Sequence, residues 1–576
     1  MTNLAYKGIG EPDSGEAALQ LVEETIEQRG TLAVDTETVT VKDRTMIGVG
    51  VAVPGHQVYT PMDSPFVKKV LGWIADSRYT KVYHNAMFDL GVLDYFGMDY
   101  NLPQPDLHNI ADTALMAQVQ GLPAGLQELA YKLLAKDILA ISDILPKRKT
   151  MLDVDVEVTA AKCMEDVKTT LELYCRFGGP KWQEQDSHTW EPVIDYNFGV
   201  DFDYSHPHTV SPKMKDCYKV DLNLMPILIR MGKRGIALRQ DKVEEWYTRL
   251  SYECLELEQV CGKEGFNPAS NQQVGYMLAL RGTVLPLTKS HRQLKVDKEM
   301  LETVNDPLAS VVLQWREKSK LLTTYITPWR GQERAHTHYR LDLSTGRLAS
   351  FDRNVQNIPP AVREIFSPDS LVWTDSDASQ IEMRVFAYLS QDPTMLKAYR
   401  DGEDIHWITQ KVLWPSSEQK DDSFRKPSKT FNFQMIFDAS VKELARKARL
   451  PQSMCAAHRT SWLELYPGGR DWMEAQKELE GPWVESAFGR RMRLPTVPQF
   501  TQDHIRKCKI NYPVQGTAAD IIKRAMLLCD QTGYDMVAQV HDEILFDGVV
   551  VLPDSLSRIH PDIYTPFETK YGPVWD

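Results

Sequence analysis

Residues 371–384 read LVWTDSDASQIEMR, and residues 540–545 read VHDEIL. In the first stretch an apolar strand, 371–375, runs into a group of acids and then into a helix-like segment reaching residue 388. The second belongs to a hairpin-like run, 536–546, whose apolar pattern is interrupted at its tip by His541, Asp542 and Glu543. A charged side chain inside an apolar strand is destabilising by several kcal/mol unless it is paired or holds a metal ion. Two such interruptions in one domain point to a shared divalent-cation site on Asp377 and Asp542. Asp375 is a rival ligand, because it lies two residues before Asp377 on the same strand face. Phosphoryl transfer by two metal ions needs carboxylates so placed. One ion activates the attacking hydroxyl and the other neutralises the leaving pyrophosphate.

The rest of the chain sets the context for this pair. Its 576 residues are too many for one core and imply two to four domains. A hydrophobic content of 43% and a charged content of 25% are those of a globular protein. No apolar run approaches a membrane span, and residues 1–15 lack the basic-then-apolar pattern of a signal peptide. Eight cysteines are scattered without a CxxC pair, which fits reduced thiols in a cytoplasm. The net charge of −13 does not itself suggest a nucleic-acid partner. Phosphates respond, however, to charges within a screening length of about 8–10 Å, so distribution matters more than the sum. The basic residues fall into four groups: Arg425, Lys426 and Lys429; Lys442, Arg446, Lys447 and Arg449; Arg490, Arg491 and Arg493; Arg506, Lys507 and Lys509. One group reads equally well as a solvated helix face. Four among the motifs below point to phosphate contacts.

Along the chain, a helix-like stretch (16–29) precedes strand-like runs at 31–34 and 46–53, and strands alternate with helices to about residue 177. This is an α/β pattern. Residues 178–216 carry neither period and read as a linker or extended loop. Helical patterns then dominate, with long helices expected at 225–234, 241–264 and 308–325.

Beyond the acid-bearing strands, three further stretches complete an ordered set: RKPSKTFNF (425–433), NYPVQGTAADIIKRAM (511–526) and TGRLASFDRNVQNIP (345–359). DASQIEMR resembles motif A of the family A, DNA polymerase I-like enzymes, VHDEIL motif C, and RKPSKTFNF motif B on the fingers helix. The other two resemble that family's template-strand helix and its minor-groove segment. The resemblance makes Asp377 and Asp542 the metal ligands and decides against Asp375. It places Arg425 and Lys429, four apart on one helix face, at the triphosphate, with Lys429 able to protonate pyrophosphate. Beside the nucleotide it places His406, Gln380, Phe433 and Phe437, and it makes Glu382 the steric gate that selects deoxyribose. Arg347, Asn354, Gln356, Asn511, Gln515 and His541 match readers of the primer-template minor groove, whose acceptors are present at every correct pair. Two features depart from the pattern. Phe437 stands where the family has tyrosine, removing a hydrogen bond to the gate glutamate. Gln434 and Asp438 stand where it has glycines, and the charge of Asp438 has no explanation in the sequence.

In the N-terminal part, Asp35 and Glu37 end an apolar strand, Asp89 lies in HNAMFDL (84–90) and Asp166 in CMEDVKTTLEL (163–173). Singly, each acid reads as a turn or helix cap. Together and in this order they resemble the three motifs of DEDD-type 3′-5′ exonucleases, which implies four carboxylates binding two metals and activating water. The third motif departs from that family too: its tyrosine four residues before the last aspartate, or histidine five before, is here Lys162 or Ala161. Either cleavage is slower, or Lys162 holds the water in another way.

The expected architecture is thus α/β and α+β multidomain, an RNase H-like 3′-5′ exonuclease domain followed by a right-hand polymerase. Its divisions are an exonuclease-like domain (1–190), a linker (191–216) and a polymerase domain (217–576). Within the last come thumb (217–335), palm (336–395 and 495–576) and fingers (396–494). The chain starts too late for the 5′-nuclease domain of larger relatives and has no long insertion between residues 320 and 345, a layout resembling bacteriophage or plasmid replicative polymerases, with a bacterial or organellar enzyme as the alternative. The final stretch, 553–576, is short for the family, so the palm is expected to close differently or with a partner's help. The resemblance implies two Mg²⁺ per centre, with Mn²⁺ as substitute. It also implies dNTP substrates, primer-template DNA, no membrane, and a monomer working with a helicase and single-strand binding protein in the host cytoplasm. Three rival readings are a single-subunit RNA polymerase, which Glu382 opposes, a non-catalytic primer-template binder, and a nuclease whose polymerase half is only a clamp. A weakened exonuclease is a variant of the main reading. Because Phe433 has no hydroxyl to replace a missing 3′-OH, incorporation should discriminate against dideoxynucleotides. Equal single-nucleotide incorporation of dNTP and ddNTP would overturn that expectation.

Overall fold

The computed structural model describes residues 15–99, 105–145, 147, 149–178, 211–288, 292–417, 422–496 and 500–575. The N-terminal part is built on a five-stranded sheet of Thr31–Thr38 (β1), Met46–Val53 (β2), His56–Pro61 (β3), Thr80–Tyr83 (β4) and Ile110–Asp112 (β5), ordered β3-β2-β1-β4-β5. The first three strands pair antiparallel, and β4 and β5 add in parallel. β2, MIGVGVAV, is buried at all but one position, which is why it reads as a continuous apolar run rather than an alternation. Helix Val156–Arg176 packs on β1 and β2. Gly50, opposite Asp35 in the ladder, permits this approach: a Cβ there would lie 2.5 Å from Cys163 Sγ. The close packing brings the acids of β1 and of this helix together.

Most of the expected linker, 191–210, lies outside the described residues. Its end is corrected by the structure. Helix Pro212–Arg234 already includes residues 212–216, because Ser211 caps the Met214 N–H and Pro212 suits a first turn. The expected helices at 241–264 and 308–325 appear as Gln240–Lys263 and Pro307–Lys320, the latter continuing as a π-helical turn, Leu321–Ile326. These helices lie against each other, and a small separate core containing Phe266, Val274, Leu278 and Val312 forms between them. No helix among the described residues is long and apolar enough to cross a membrane.

The central sheet of the C-terminal part contains Trp373–Ala378 (β6), Met536–Val540 (β7), Glu543–Asp547 (β8) and Phe567–Gly572 (β9), all antiparallel in the order β7-β8-β6-β9. The short C-terminal stretch therefore closes the sheet itself. β9 pairs along the whole of β6, and Trp575 is buried against Phe366, donating its indole N–H to Glu543.

Helix Pro212–Arg234 joins the two parts. Its Tyr218 hydroxyl accepts from the Asp112 N–H of β5 at 3.0 Å. Its Asp221 accepts from Arg490 (2.6 and 3.1 Å) and Lys523 (2.6 Å), and Arg490 also bonds Asp520 (2.8 Å). All four charged side chains are shut off from water. Burial pushes Asp221 towards its neutral form, but Arg490 and Lys523 outweigh it and hold the carboxyl below its usual range. Arg490, counted in the sequence among cations available to phosphate, is instead a structural ion. Its neighbours Arg491 and Arg493 pair with Glu485 and Glu128, at 3.1 Å each. Removing one member of a buried ion pair strands its partners. Asp221→Ala should therefore lower stability by about 3–5 kcal/mol in denaturant unfolding, and a loss below about 1 kcal/mol would refute a structural role for the quartet.

Candidate active sites

The ladder register builds the C-terminal site. β6 ends with Asp377 opposite Glu543 of β8 on one side and Glu568 of β9 on the other. The β7–β8 turn turns sharply through His541, at φ 57°, and puts Asp542 beside this strand end, where its carbonyl accepts the Ala378 N–H at 3.0 Å. Asp377 is open to solvent at the tip, whereas Asp375 is buried one pleat below. Asp377 is pushed up to about 6, first by desolvation and then by the charges of Asp542, Asp375 and Glu568, with Lys429 opposing. Asp542 is raised by burial. Glu543, raised to about 7 by burial and by Asp375, is held by Trp575 and, at 3.5 Å, by Arg363, so it serves the core. Adjacent carboxylates that repel one another, with oxygen donors only, suit a hard divalent cation.

A cleft of ≈340 Å³ opens beside the pair. Arg347, Gln356, Glu382, Phe437, Gln515 and His541 line it with Asp542, so one cavity gathers residues from four separate motifs. Phe437 adjoins Glu382 without a hydroxyl to offer. Arg347 provides the missing donor by pairing with the Glu382 carboxylate. Gln356 is committed internally, accepting from the Ser350 N–H (2.7 Å) and donating to Gln539 (2.8 Å), and Asn354 accepts from the Ser350 hydroxyl at 2.6 Å. Asn511 Oδ1 is buried without a hydrogen-bond partner.

On helix Asp422–Met435, Lys429 is exposed and its charge reaches Asp377 and Asp542. Arg425 is tied to Asp404 at 2.7 Å. His406 is buried and bonds Asn432 through Nδ1 at 3.0 Å, while its Nε2 has no partner. Burial lowers it to about 4, so the ring is neutral near pH 7. Phe433 lies 5.9 Å from this ring, and Gln380 accepts from the Tyr399 hydroxyl at 3.2 Å. The structure also explains Asp438. It adopts φ 50° just beyond the helix, a left-handed conformation that aspartate tolerates better than most residues, and its charge is met by Arg459 (2.8 Å) and Lys477 (2.9 Å).

The N-terminal acids also converge. Donor atoms of Asp35, Glu37 and Cys163 lie within 4.8 Å of one another, and the Cys163 thiol donates to Asp35 Oδ2 at 3.5 Å. Asp89 accepts from the N–H and hydroxyl of Thr36, at 2.8 and 2.7 Å. Asp166 is paired with Lys162, and its second oxygen, Oδ1, is buried without a partner. Burial raises all four acids, Glu37 and Asp89 to about 7. This oxygen-rich, mutually repelling set with an unsatisfied carboxylate oxygen fits a divalent ion. Thr36, Cys163, Asp404, Tyr399 and Glu568 all act on the two sites and were missed in the sequence. Only Thr36, flanked by the two acids, could have been suspected there.

Two family models match the chain: "DNA polymerase family A" over residues 239–558 and "3'-5' exonuclease" over 14–178. The DNA polymerase I of Rhizobium leguminosarum is 27% identical over 543 residues, covering 87% of this chain and 50% of that protein. That of Pseudomonas aeruginosa is 28% identical over 581 residues, covering 91% and 60%. The chain thus spans between half and three-fifths of the length of these relatives. Among solved structures, the POL domain of Pol1 from M. smegmatis, in complex with DNA primer-template and dNTP, superposes with a TM-score of 0.72 at 20% identity, covering 97% of this chain and 98% of that one. With the family model matching more than half its length, this chain belongs to DNA polymerase family A and carries a 3′-5′ exonuclease-family domain ahead of the polymerase portion.

Proposed function

We propose that the protein extends a primer by template-directed synthesis from dNTPs at the Asp377–Asp542 centre, and that its N-terminal centre removes nucleotides from the 3′ end. The observation that carries the first reading is the pairing of β6 with the β7–β8 hairpin. It brings Asp377 beside Asp542, which lines a cleft with Arg347, Glu382 and His541, and the charge of Lys429 reaches both acids. Bound divalent ions, Mg²⁺ or Mn²⁺ in its place, supply hydroxyl activation and charge neutralisation at the pyrophosphate.

The chain's own groups do the rest on this reading. Lys429 and Arg425 neutralise the triphosphate, Arg425 exchanging Asp404 for phosphate, and Lys429 supplies a proton to the leaving pyrophosphate. His406 keeps its neutral ring with Nε2 free for the same ligand. Glu382 stands against the sugar 2′ position and selects deoxynucleotides, its carboxylate held by Arg347. On this reading Arg347, Gln515 and His541, which line the cleft, and Asn511 serve the minor groove. At the N-terminal centre Asp35, Glu37, Asp89 and Asp166 would hold divalent metal, which would supply an activated water.

Asp377→Asn and Asp542→Asn should each reduce primer extension about a thousandfold, with wild type preferring dNTPs over rNTPs. Full extension by either variant sinks the metal assignment, and equal use of rNTPs would favour an RNA polymerase. On the same gel, wild type should trim a mismatched 3′ end and Asp35→Asn should not. An untouched mismatch defeats the exonuclease reading alone. The pH behaviour gives a separate check. Asp377 takes up its proton more readily in the folded state than in the unfolded chain, so the metal-free protein is favoured at low pH. That stability is lost as pH rises from about 4 through about 6. In chelator, Asp377→Asn should raise the melting temperature by a few degrees near pH 8 (about two units above the folded value) and leave it unchanged near pH 4. An equal shift at both would dissociate the effect from this carboxylate.

A further inference from the structure

The N-terminal pocket contains a cation that belongs to the chain. Lys162 lies one helical turn before Asp166 on Val156–Arg176, is buried along its length, and places its ammonium on Asp166 Oδ2. The opposite oxygen, Oδ1, remains buried and without a partner. The charge of Lys162 also reaches Asp35 and Glu37, the two acids of β1. Asp89 is satisfied separately by the N–H and hydroxyl of Thr36.

The formal charges limit what the pocket can hold. Four carboxylates and one ammonium leave an excess of three negative charges. One divalent ion leaves one net negative charge, and a second leaves one net positive charge. An ammonium that is buried and hydrogen-bonded to one of the acids cannot be expelled into water as a hydrated ion would be. Placing a further dication beside it means bringing like charges together where water does not screen them.

We propose that Lys162 is a built-in cation replacing one divalent ion, so that this centre binds a single Mg²⁺ or Mn²⁺ on Asp35 and Glu37, whose donor atoms lie within 4.8 Å of each other. The purpose of the pocket rests on the exonuclease reading above, but the cation count can be measured without turnover. The cluster is thereby complete with half the dissociable metal of an all-carboxylate site, and its remaining ion sits on the β1 acids.

The test is Mn²⁺ binding to the full chain carrying Asp377→Asn and Asp542→Asn, followed by electron paramagnetic resonance. The parent should bind one Mn²⁺ at the N-terminal centre, lost on Asp35→Asn. Lys162→Ala should admit a second Mn²⁺ or tighten binding by about tenfold. Lys162→Met, which keeps most of the buried stem, should do the same if the alanine variant does not fold, whereas Lys162→Arg should bind like the parent. Two Mn²⁺ bound with Lys162 in place, or unchanged stoichiometry and affinity in both neutral variants, overturns the cation count and leaves the exonuclease reading standing. No Mn²⁺ that depends on Asp35 overturns both.

Discussion

Four charged side chains without access to water hold the two halves of this protein in one frame. Asp221 and Asp520 face Arg490 and Lys523, and every pair is closer than 3 Å at its nearest contact or bridged through a shared partner. The helix that supplies Asp221 also supplies Tyr218 to the N-terminal sheet. The helix Gln502–Gln531, which supplies Asp520 and Lys523, also presents Gln515 to the cleft. Buried charges are tolerated only when fully paired, so the quartet fixes the relative placement of three elements that a purely apolar contact would define less sharply.

The two centres share a physical construction. In each, acids sit at the end of a central strand, where the ladder fixes the backbone. Burial and mutual repulsion then raise the carboxyls towards neutrality: Asp377 to about 6, Glu37 and Asp89 to about 7. A folded protein holds such groups together at an energetic penalty that a bound cation relieves. The centres differ in their protein-borne cations. Lys429 is exposed, with its charge reaching Asp377, whereas Lys162 is buried and paired with Asp166.

Three of the departures from the family pattern have an electrostatic answer nearby. Phe437 cannot donate to Glu382, and Arg347 does so. Asp438 replaces a glycine in a left-handed conformation, and Arg459 and Lys477 neutralise it. Lys162 replaces an aromatic residue and pairs with its own helix's aspartate. An altered residue inside a desolvated site persists when its charge or its missing hydrogen bond is answered nearby.

The sequence by itself determined what depends on local pattern: strands where apolar residues run continuously, as in β2, helices where the period is 3.6, and the acids Asp35, Glu37, Asp377 and Asp542 at the ends of strands, where an unpaired charge demands a reason. Resemblance to known motifs extended this to Lys429, Glu382 and the residues lining the cleft. Tertiary structure decided which charges are answered and by whom. Arg490 reads as one of a basic cluster, yet it is buried against Asp221, 269 positions away. Asp375 and Asp377 share a strand face, and only the register with β8 and β9 exposes one at the tip and buries the other. Glu568 and Cys163 enter the sites through packing alone. Local propensity acts over a few residues and can fix faces and ends. Coulombic pairing acts through space, and in this chain its partners come from distant segments.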